Sequence, residues 1–372
     1  MDRPERLRAE ARSWLAEQLS TTFAHARGLG GPGREHEGHD VRLAWERHLG
    51  RAGWTCLSWP EAYGGRAATL AEQIAFHEEY ARADAPARVG HIGEGLIGPT
   101  ILDFGTPEQK ARFLPGIRRG EELWCQGYSE PEAGSDLANV RTRAELVAGE
   151  WVVTGQKVWT SLAHVADWCF VLCRTEPGST RHRGLSYLLV PMRAPGVEVR
   201  PIVQLTGTSE FNEVFFDGAR TPADHILGAP GDGWRIAMAT LGHERGAATL
   251  GQQIGFQREL DRVVATAVRT GAAQDPVLRD RIAQSWLELR VMRLNGLRDP
   301  GLPFTKLYWS EWHRRLGELA QAVQGRAGLV AEDGELNELQ RLYLFSRADT
   351  IYAGSSEIQR TIIAERALGL PR

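Results

Sequence analysis

Four cysteines are few for 372 residues, and they offer no disulfide framework. Cys169 and Cys173 stand four apart in WCFVLC, a run that reads as a buried strand. At about 3.3 Å per residue their α-carbons would be roughly 13 Å apart, too far for a bridge. Cys56 and Cys125 are isolated in the sequence, so all four are expected as reduced core thiols. An apolar run of about 18 residues is also missing, which leaves no helix to span a bilayer. The N-terminal MDRPERLRAEARSWLAEQL is charged and amphipathic and lacks the apolar core of a secretory signal. There is no basic excess either: a net charge of −3 argues against nucleic acid or an anionic membrane as a partner. The chain reads as cytoplasmic. What is present is ordinary for a globular protein, with 42% hydrophobic and 24% charged residues and enough length for two or three domains.

Three zones differ in hydrophobic period. Up to residue 121, RLRAEARSWLAEQL, LAWERHLGRAG and LAEQIAFHEEYARA carry apolar residues at three- and four-residue spacing, which predicts helices. Residues 122–227 change character. EWVVTGQKVWTS, ADWCFVLCRT, LSYLLVPM, GVEVRPIVQL and NEVFFDG are short, rich in β-branched and aromatic residues, and punctuated by Gly and Pro, which predicts strands. From residue 228 to 372 the helical period returns. Helices, an all-β insert and a second helical block make an α+β chain by segregation.

Two stretches imitate sites. GLGGPG (28–33) matches G-x-G-x-x-G, but no strand precedes it and Gly53 stands where an acid is needed, so it reads as a flexible loop. His36, Glu37, His39 and Asp40 in HEGHD offer metal-type ligands within that same polar loop, with no partner cluster, and no metal is expected.

CQGYSEPEAGSDL (125–137) opens the β zone. Pro131 and Gly134 force a turn in which Ser129 and Ser135 present hydroxyls beside free backbone N–H groups, suited to an anionic or carbonyl-rich ligand. A hairpin follows, turning near Ala148–Glu150. Two-residue spacing at its end places Trp159 and Ser161 on one strand face, where an indole and a hydroxyl can meet a planar ring. Near the C-terminus, Ala353, Gly354, Ser355 and Ser356 form a run of very small side chains.

Together SEPEAGSDL, GQKVWTS, WPEAYGG (59–65), FNEVFFD and the terminal GSSEIQRTIIAERALGLP resemble the acyl-CoA dehydrogenase family, in register from about residue 45 to the end. The resemblance implies an N-terminal helical domain, a central antiparallel β-barrel-like domain and a C-terminal four-helix bundle. It also implies FAD, a homotetramer or a heterotetramer with a related subunit, and conversion of saturated acyl-CoA to 2-enoyl-CoA with electrons passed to an electron-transfer flavoprotein. Gln126, Tyr128, Ser129, Gly134, Ser135, Trp159, Ser161, Gly354, Ser355 and Glu357 match cofactor-binding positions. Ser135, Arg245 and Ala353 match substrate-binding ones. The family's grip on the adenosine end is weakened here. VRTGAAQDP keeps at best Arg269, and the family glutamine aligns with Ala322, although Gln324 is close by.

Many family members carry the catalytic glutamate immediately before that Gly, where this chain has Ala353. An α-C–H beside a thioester is a weak acid and still needs a base. Other branches place the acid early in the C-terminal helices, and Glu244 matches it here. Helical spacing agrees: Ala237, Leu241, Glu244, Ala248, Gly251 and Gly255 share one face, and a lone carboxylate on such a stripe is costly unless paired or functional. The expectation is an acyl-CoA dehydrogenase of fatty-acid or lipid metabolism. The alternatives are a subunit that completes the flavin site of a hetero-oligomeric dehydrogenase, and a flavin oxidase or monooxygenase on the same fold.

Overall fold

The computed structural model describes residues 2–243, 248–299 and 301–371. Capping groups start the helices of the first zone where the sequence supplies them. Asp2 accepts from Glu5 N at the head of α1 (Arg3–Ser20), whose Leu7, Ala11, Leu15 and Leu19 are buried at four-residue spacing. After α2 (His39–Ala52), capping boxes at Thr69/Glu72 and Thr106/Gln109 open α3 (Leu70–Arg82) and α5 (Pro107–Arg118). A π-helical turn at Gly93–Ile97 leads into α4 (Gly98–Phe104) between them. The GLGGPG loop is docked: Arg341 Nη1 donates to Gly33 O at 3.1 Å.

The second zone contains β1 (Trp124–Gly127), β2 (Arg143–Val147), β3 (Glu150–Ser161), β4 (Trp168–Arg174), β5 (Leu185–Pro191), β6 (Val197–Pro201), β7 (Phe211–Pro222) and β8 (Ile226–Leu227). They form one sheet in the order β6-β7-β3-β2-β4-β5-β8, with β1 also on β4. Ala148 (φ 52°) and Gly149 (φ 85°) make the β2–β3 turn, with the pair of positive φ angles that a two-residue hairpin needs. The expected antiparallel, barrel-like middle domain is present, with two particulars that the sequence did not specify. The sheet is open, and β1 and β2 both pair with β4 in parallel. The β2–β3 hairpin intervenes, so the chain returns to β4 in the direction of β1. That pairing sets Cys125 opposite Cys169, so Cys125 is not isolated; all four cysteines are free and buried.

The third zone holds α6 (Gly233–His243), α7 (Ala248–Thr270), α8 (Pro276–Arg298), α9 (Thr305–Gln324), α10 (Glu338–Asp349) and α11 (Ser356–Ile362). Helices α7 to α10 share a core that includes Phe256, Leu260, Trp312, Leu316 and Leu342. Helix α6 belongs elsewhere. Its Ile236 and Ala237 join a core with Ile97, Trp124, Phe170 and Tyr187, drawn from the first two zones. The three zones are therefore joined by packing as well as by chain. Gln109 Nε2 of α5 ties the first two directly, donating to Asp224 O (2.6 Å) and Ile226 O (2.8 Å). No described helix is long and apolar enough to cross a membrane.

Candidate functional site

The turn 128–135 and the end of β3 are stitched into one unit. Val158 N donates to Ser129 O at 2.9 Å. The fully buried Lys157 ammonium donates to Tyr128 O (3.0 Å), Glu130 Oε1 (2.8 Å) and Leu172 O (2.7 Å). Glu130 also accepts from Arg141 N (2.6 Å) and Thr142 N (2.9 Å). Burial pushes the Glu130 carboxyl up, but Lys157 and these donors outweigh it and hold it below the usual carboxylate value. Burial depresses the Lys157 ammonium, with Glu130 opposing. Neither residue was singled out in the sequence. No local signal marks Lys157, because the strand end around it also carries Gln156, Thr160 and Ser161.

The strand end itself departs from simple alternation. Between β3 and β7, Lys157 pairs with Val214 but Thr160 with Asn212, so two residues of β3 oppose one of β7. This bulge buries Lys157 and Thr160 together and turns Trp159 outward at φ 60°, with 59% of its surface exposed. Trp159 and Ser161 still meet at one place: the indole lies edge-on to Phe211, ring centres 6.2 Å apart, and Ser161 is the register partner of Phe211. Buried Asn212 of FNEVFFD fixes the bulge, its Nδ2 donating to Thr160 O and Glu210 O, both at 3.1 Å.

Three features fit a flavin. A bare indole at a strained backbone position offers a stacking face. Buried Gln126 Nε2 and Thr160 Oγ1 have no hydrogen-bond partner, which in a folded protein marks a group that a ligand or water completes. A Cβ built on Gly134 meets nothing within 4 Å, so the protein alone has no need of glycine there. Tyr128 is held at its backbone O by Lys157. Its side chain is buried, and its hydroxyl begins a chain through Tyr187 (3.3 Å), Thr240 (3.1 Å) and Thr100 (2.9 Å) that crosses from the sheet to α6 and α4.

The small-residue run is anchored separately, to α9 and α10. Ala353 (φ 50°) and Gly354 (φ 84°) are both left-handed. Gln359 Nε2 donates to Ala353 O and Lys306 Nζ to Gly354 O, each at 2.9 Å. Ser355 caps α11 through Ile358 N. Among the described residues neither Ala353 N nor Gly354 N has an acceptor, and no hydrogen bond ties this loop to the middle sheet. Behind it, buried His313 bridges Asp349 Oδ2 (2.5 Å) and Glu259 Oε2 (2.8 Å), and Tyr352 Oη donates to Asp349 Oδ1 (2.6 Å). Burial lowers the imidazole pKa, but the two carboxylates outweigh it and push it up to about 10, so the ring is a cation donating from both nitrogens.

The remaining predicted residues are spread out. Glu244 and Arg245 lie outside the described residues. Glu357 is exposed in the first turn of α11. Arg269 stands on the exposed last turn of α7, its Nη2 donating to Thr266 Oγ1 at 3.1 Å. Gln324 is engaged within its own chain, donating to Ala320 O (3.1 Å) and Gln321 Oε1 (3.3 Å) and accepting from Asn337 (2.9 Å). Among the described residues no group of three or more His, Cys, Asp and Glu is placed to hold a metal.

Comparison with known proteins supports the family resemblance. Family models for the N-terminal, middle and C-terminal domains of acyl-CoA dehydrogenase match residues 2–121, 125–219 and 231–368. The chain is 62% identical to acyl-CoA dehydrogenase IpdE1 of Mycobacterium tuberculosis, across 99% of this chain and 98% of that protein. Among solved structures, the ChsE4–ChsE5 complex from Mycobacterium tuberculosis matches with a TM-score of 0.83 and 30% identity, over 100% of this chain and 98% of that one. The Tcur3481–Tcur3483 steroid ACAD matches with a TM-score of 0.85 and 30% identity, over 99% and 98%.

Proposed function

The chain belongs to the acyl-CoA dehydrogenase family and is an FAD-dependent oxidoreductase of lipid metabolism; from that premise we propose that it makes 2-enoyl-CoA from a bulky, saturated acyl-CoA and passes the electrons to an electron-transfer flavoprotein. The observation that carries this reading is the unit that Lys157 ties together from the Ser129 turn and the end of β3, which leaves the Trp159 indole bare, with Gln126 Nε2 of β1 and Thr160 Oγ1 of β3 buried and without a partner.

In this reading Gln126, Ser129, Gly134, Ser135, Trp159, Ser161, Gly354, Ser355 and Glu357 hold the cofactor, with Tyr128 acting through its backbone. Ser135, Arg245 and Ala353 hold the substrate. Bound FAD supplies the acceptor for the hydride lost from the β-carbon. The chain supplies the rest. Glu244 removes the α-proton, and the Ala353 N–H donates to the thioester oxygen as negative charge grows on it. An acid outside the 353 position, as in branches acting on branched, long-chain and steroid acyl groups, supports a bulky substrate, as does the likeness to a steroid ACAD.

We further read the working protein as a hetero-oligomer with a related subunit. Arg269 is exposed and Gln324 is already engaged, so this chain offers little to the adenosine end of the cofactor. The outer face of α8 exposes Trp286, Leu287, Val291, Leu294 and Leu297, an apolar surface suited to burial against another subunit. The ChsE4–ChsE5 structure is itself a complex.

Anaerobic titration with a panel of acyl-CoA thioesters tests the reaction. A bulky acyl-CoA should bleach the flavin, and the reduced protein should react quickly with an electron-transfer flavoprotein and slowly with oxygen. Stoichiometric peroxide in air at the dye-coupled rate would assign it as an oxidase instead.

A further inference from the structure

Only three of the 44 basic residues are lysines: Lys110, Lys157 and Lys306. In a chain that otherwise uses arginine, lysine at a partly buried position signals a need for a compact donor with three hydrogens rather than a planar fork. Lys157 meets that need beneath the flavin seat. Lys306, in the first turn of α9, meets a similar one beneath the 353 loop. Its Nζ donates to Asp349 O at 2.7 Å and to Gly354 O at 2.9 Å. These acceptors are the last residue of α10 and the residue just past Ala353, so one ammonium staples both ends of a six-residue segment with Ala353 inside it. The ammonium also lies 5.8 Å from the ring centres of Trp309 and Tyr352.

The segment needs stapling. A non-glycine residue at φ 50° is disfavoured by roughly 1–2 kcal/mol and persists only where its surroundings over-determine it. Asp349 is itself fixed by His313 and Tyr352, so the staple is grounded in α7 and α9 through Glu259 and His313.

We propose that Lys306 is a positioning residue for the acyl thioester: by joining Asp349 O to Gly354 O it holds the Ala353 N–H where the thioester oxygen must receive it. The proposal rests on the reaction assigned above. It assigns Lys306 a role through the backbone it fixes.

The test compares wild type, Lys306→Met and Lys306→Arg, each with its partner subunit if one is required for flavin binding. Two quantities are read: the rate of anaerobic flavin reduction by the best acyl-CoA, and the infrared carbonyl stretch of 1-13C-labelled 2-enoyl-CoA bound to the oxidised protein. Lys306→Met should keep its flavin yet reduce on the order of 10- to 100-fold more slowly, the scale of a misplaced oxyanion donor. Its bound carbonyl stretch should move back towards the solution value. Lys306→Arg, which keeps the charge but offers a planar fork in place of a compact donor, should recover only part of the rate. Should Lys306→Met not fold, Tyr352→Phe, which removes the hydroxyl that donates to Asp349 Oδ1, should show a smaller shift in the same direction. A folded, flavin-loaded Lys306→Met, or Tyr352→Phe in its place, with wild-type rate and wild-type carbonyl frequency would overturn the proposal. Wild type that no thioester bleaches would instead overturn the reaction on which it rests.

Discussion

Lys157 Nζ lies 2.8 Å from Glu130 Oε1 where the two side chains keep only 0% and 7% of their surface exposed. This pair binds the SEPEAGSDL turn to the end of β3, and so sets Ser129 against Trp159. Two charges buried this deeply are tolerated because each is saturated with further hydrogen bonds. Removing one partner leaves the other uncompensated. Lys157→Met should therefore cost about 3–5 kcal/mol, seen as a large fall in the denaturation midpoint and loss of bound flavin. Glu130→Gln should also destabilise, because it leaves the Lys157 charge unpaired and sets an amide NH2 where a backbone N–H now finds an acceptor. Equal stability for Lys157→Met and wild type in a denaturant melt would show that the pair does not hold the turn.

Gly134 separates a structural need from a ligand's need. Nothing lies within 4 Å of a Cβ placed there, and its backbone is not left-handed. Gly134→Val should melt within about 0.5–1 kcal/mol of wild type, as for a surface substitution, while FAD content after purification falls sharply. Full flavin occupancy in the variant would place the cofactor away from this turn.

His313 gives the C-terminal helices a pH dependence of predictable sign. Its folded pKa, pushed up to about 10, lies above the ordinary 6.5. The contribution is complete below the ordinary value, declines as pH rises above it, and is lost as pH passes through the folded value. The melting temperature should fall from about pH 7 to pH 10, and His313→Gln should flatten that slope. A parallel decline in both proteins would assign it to other groups.

Much of this was legible in the sequence, for identifiable reasons. The switch from helical period to short β-branched runs and back marked the three zones, because period follows which faces are buried. The β2–β3 turn was legible from Ala148 and Gly149, a local signal. The bulge at Trp159 was not, since two-residue alternation describes an uninterrupted ladder and the interruption is set by Asn212 on another strand. The parallel seat of β1 on β4 depends on the path of an intervening hairpin. The junction of Lys306, Asp349 and His313 joins residues up to 43 positions apart, beyond the reach of any local pattern. GLGGPG reads as a flexible loop in isolation, and the distant Asp84, Ala87 and Arg341 show that it is docked.

We propose Glu244 as the base of an acyl-CoA dehydrogenase that carries Ala353 where other members have the acid beside the loop glycine. Single-turnover flavin reduction by an acyl-CoA that bleaches the wild type tests it most directly. Glu244→Gln should keep its flavin and reduce slower by a factor on the order of 10² or more. Adding Ala353→Glu to that variant should restore part of the rate, because both positions are expected to reach the same α-carbon. Reduction of Glu244→Gln at the wild-type rate would contradict the account.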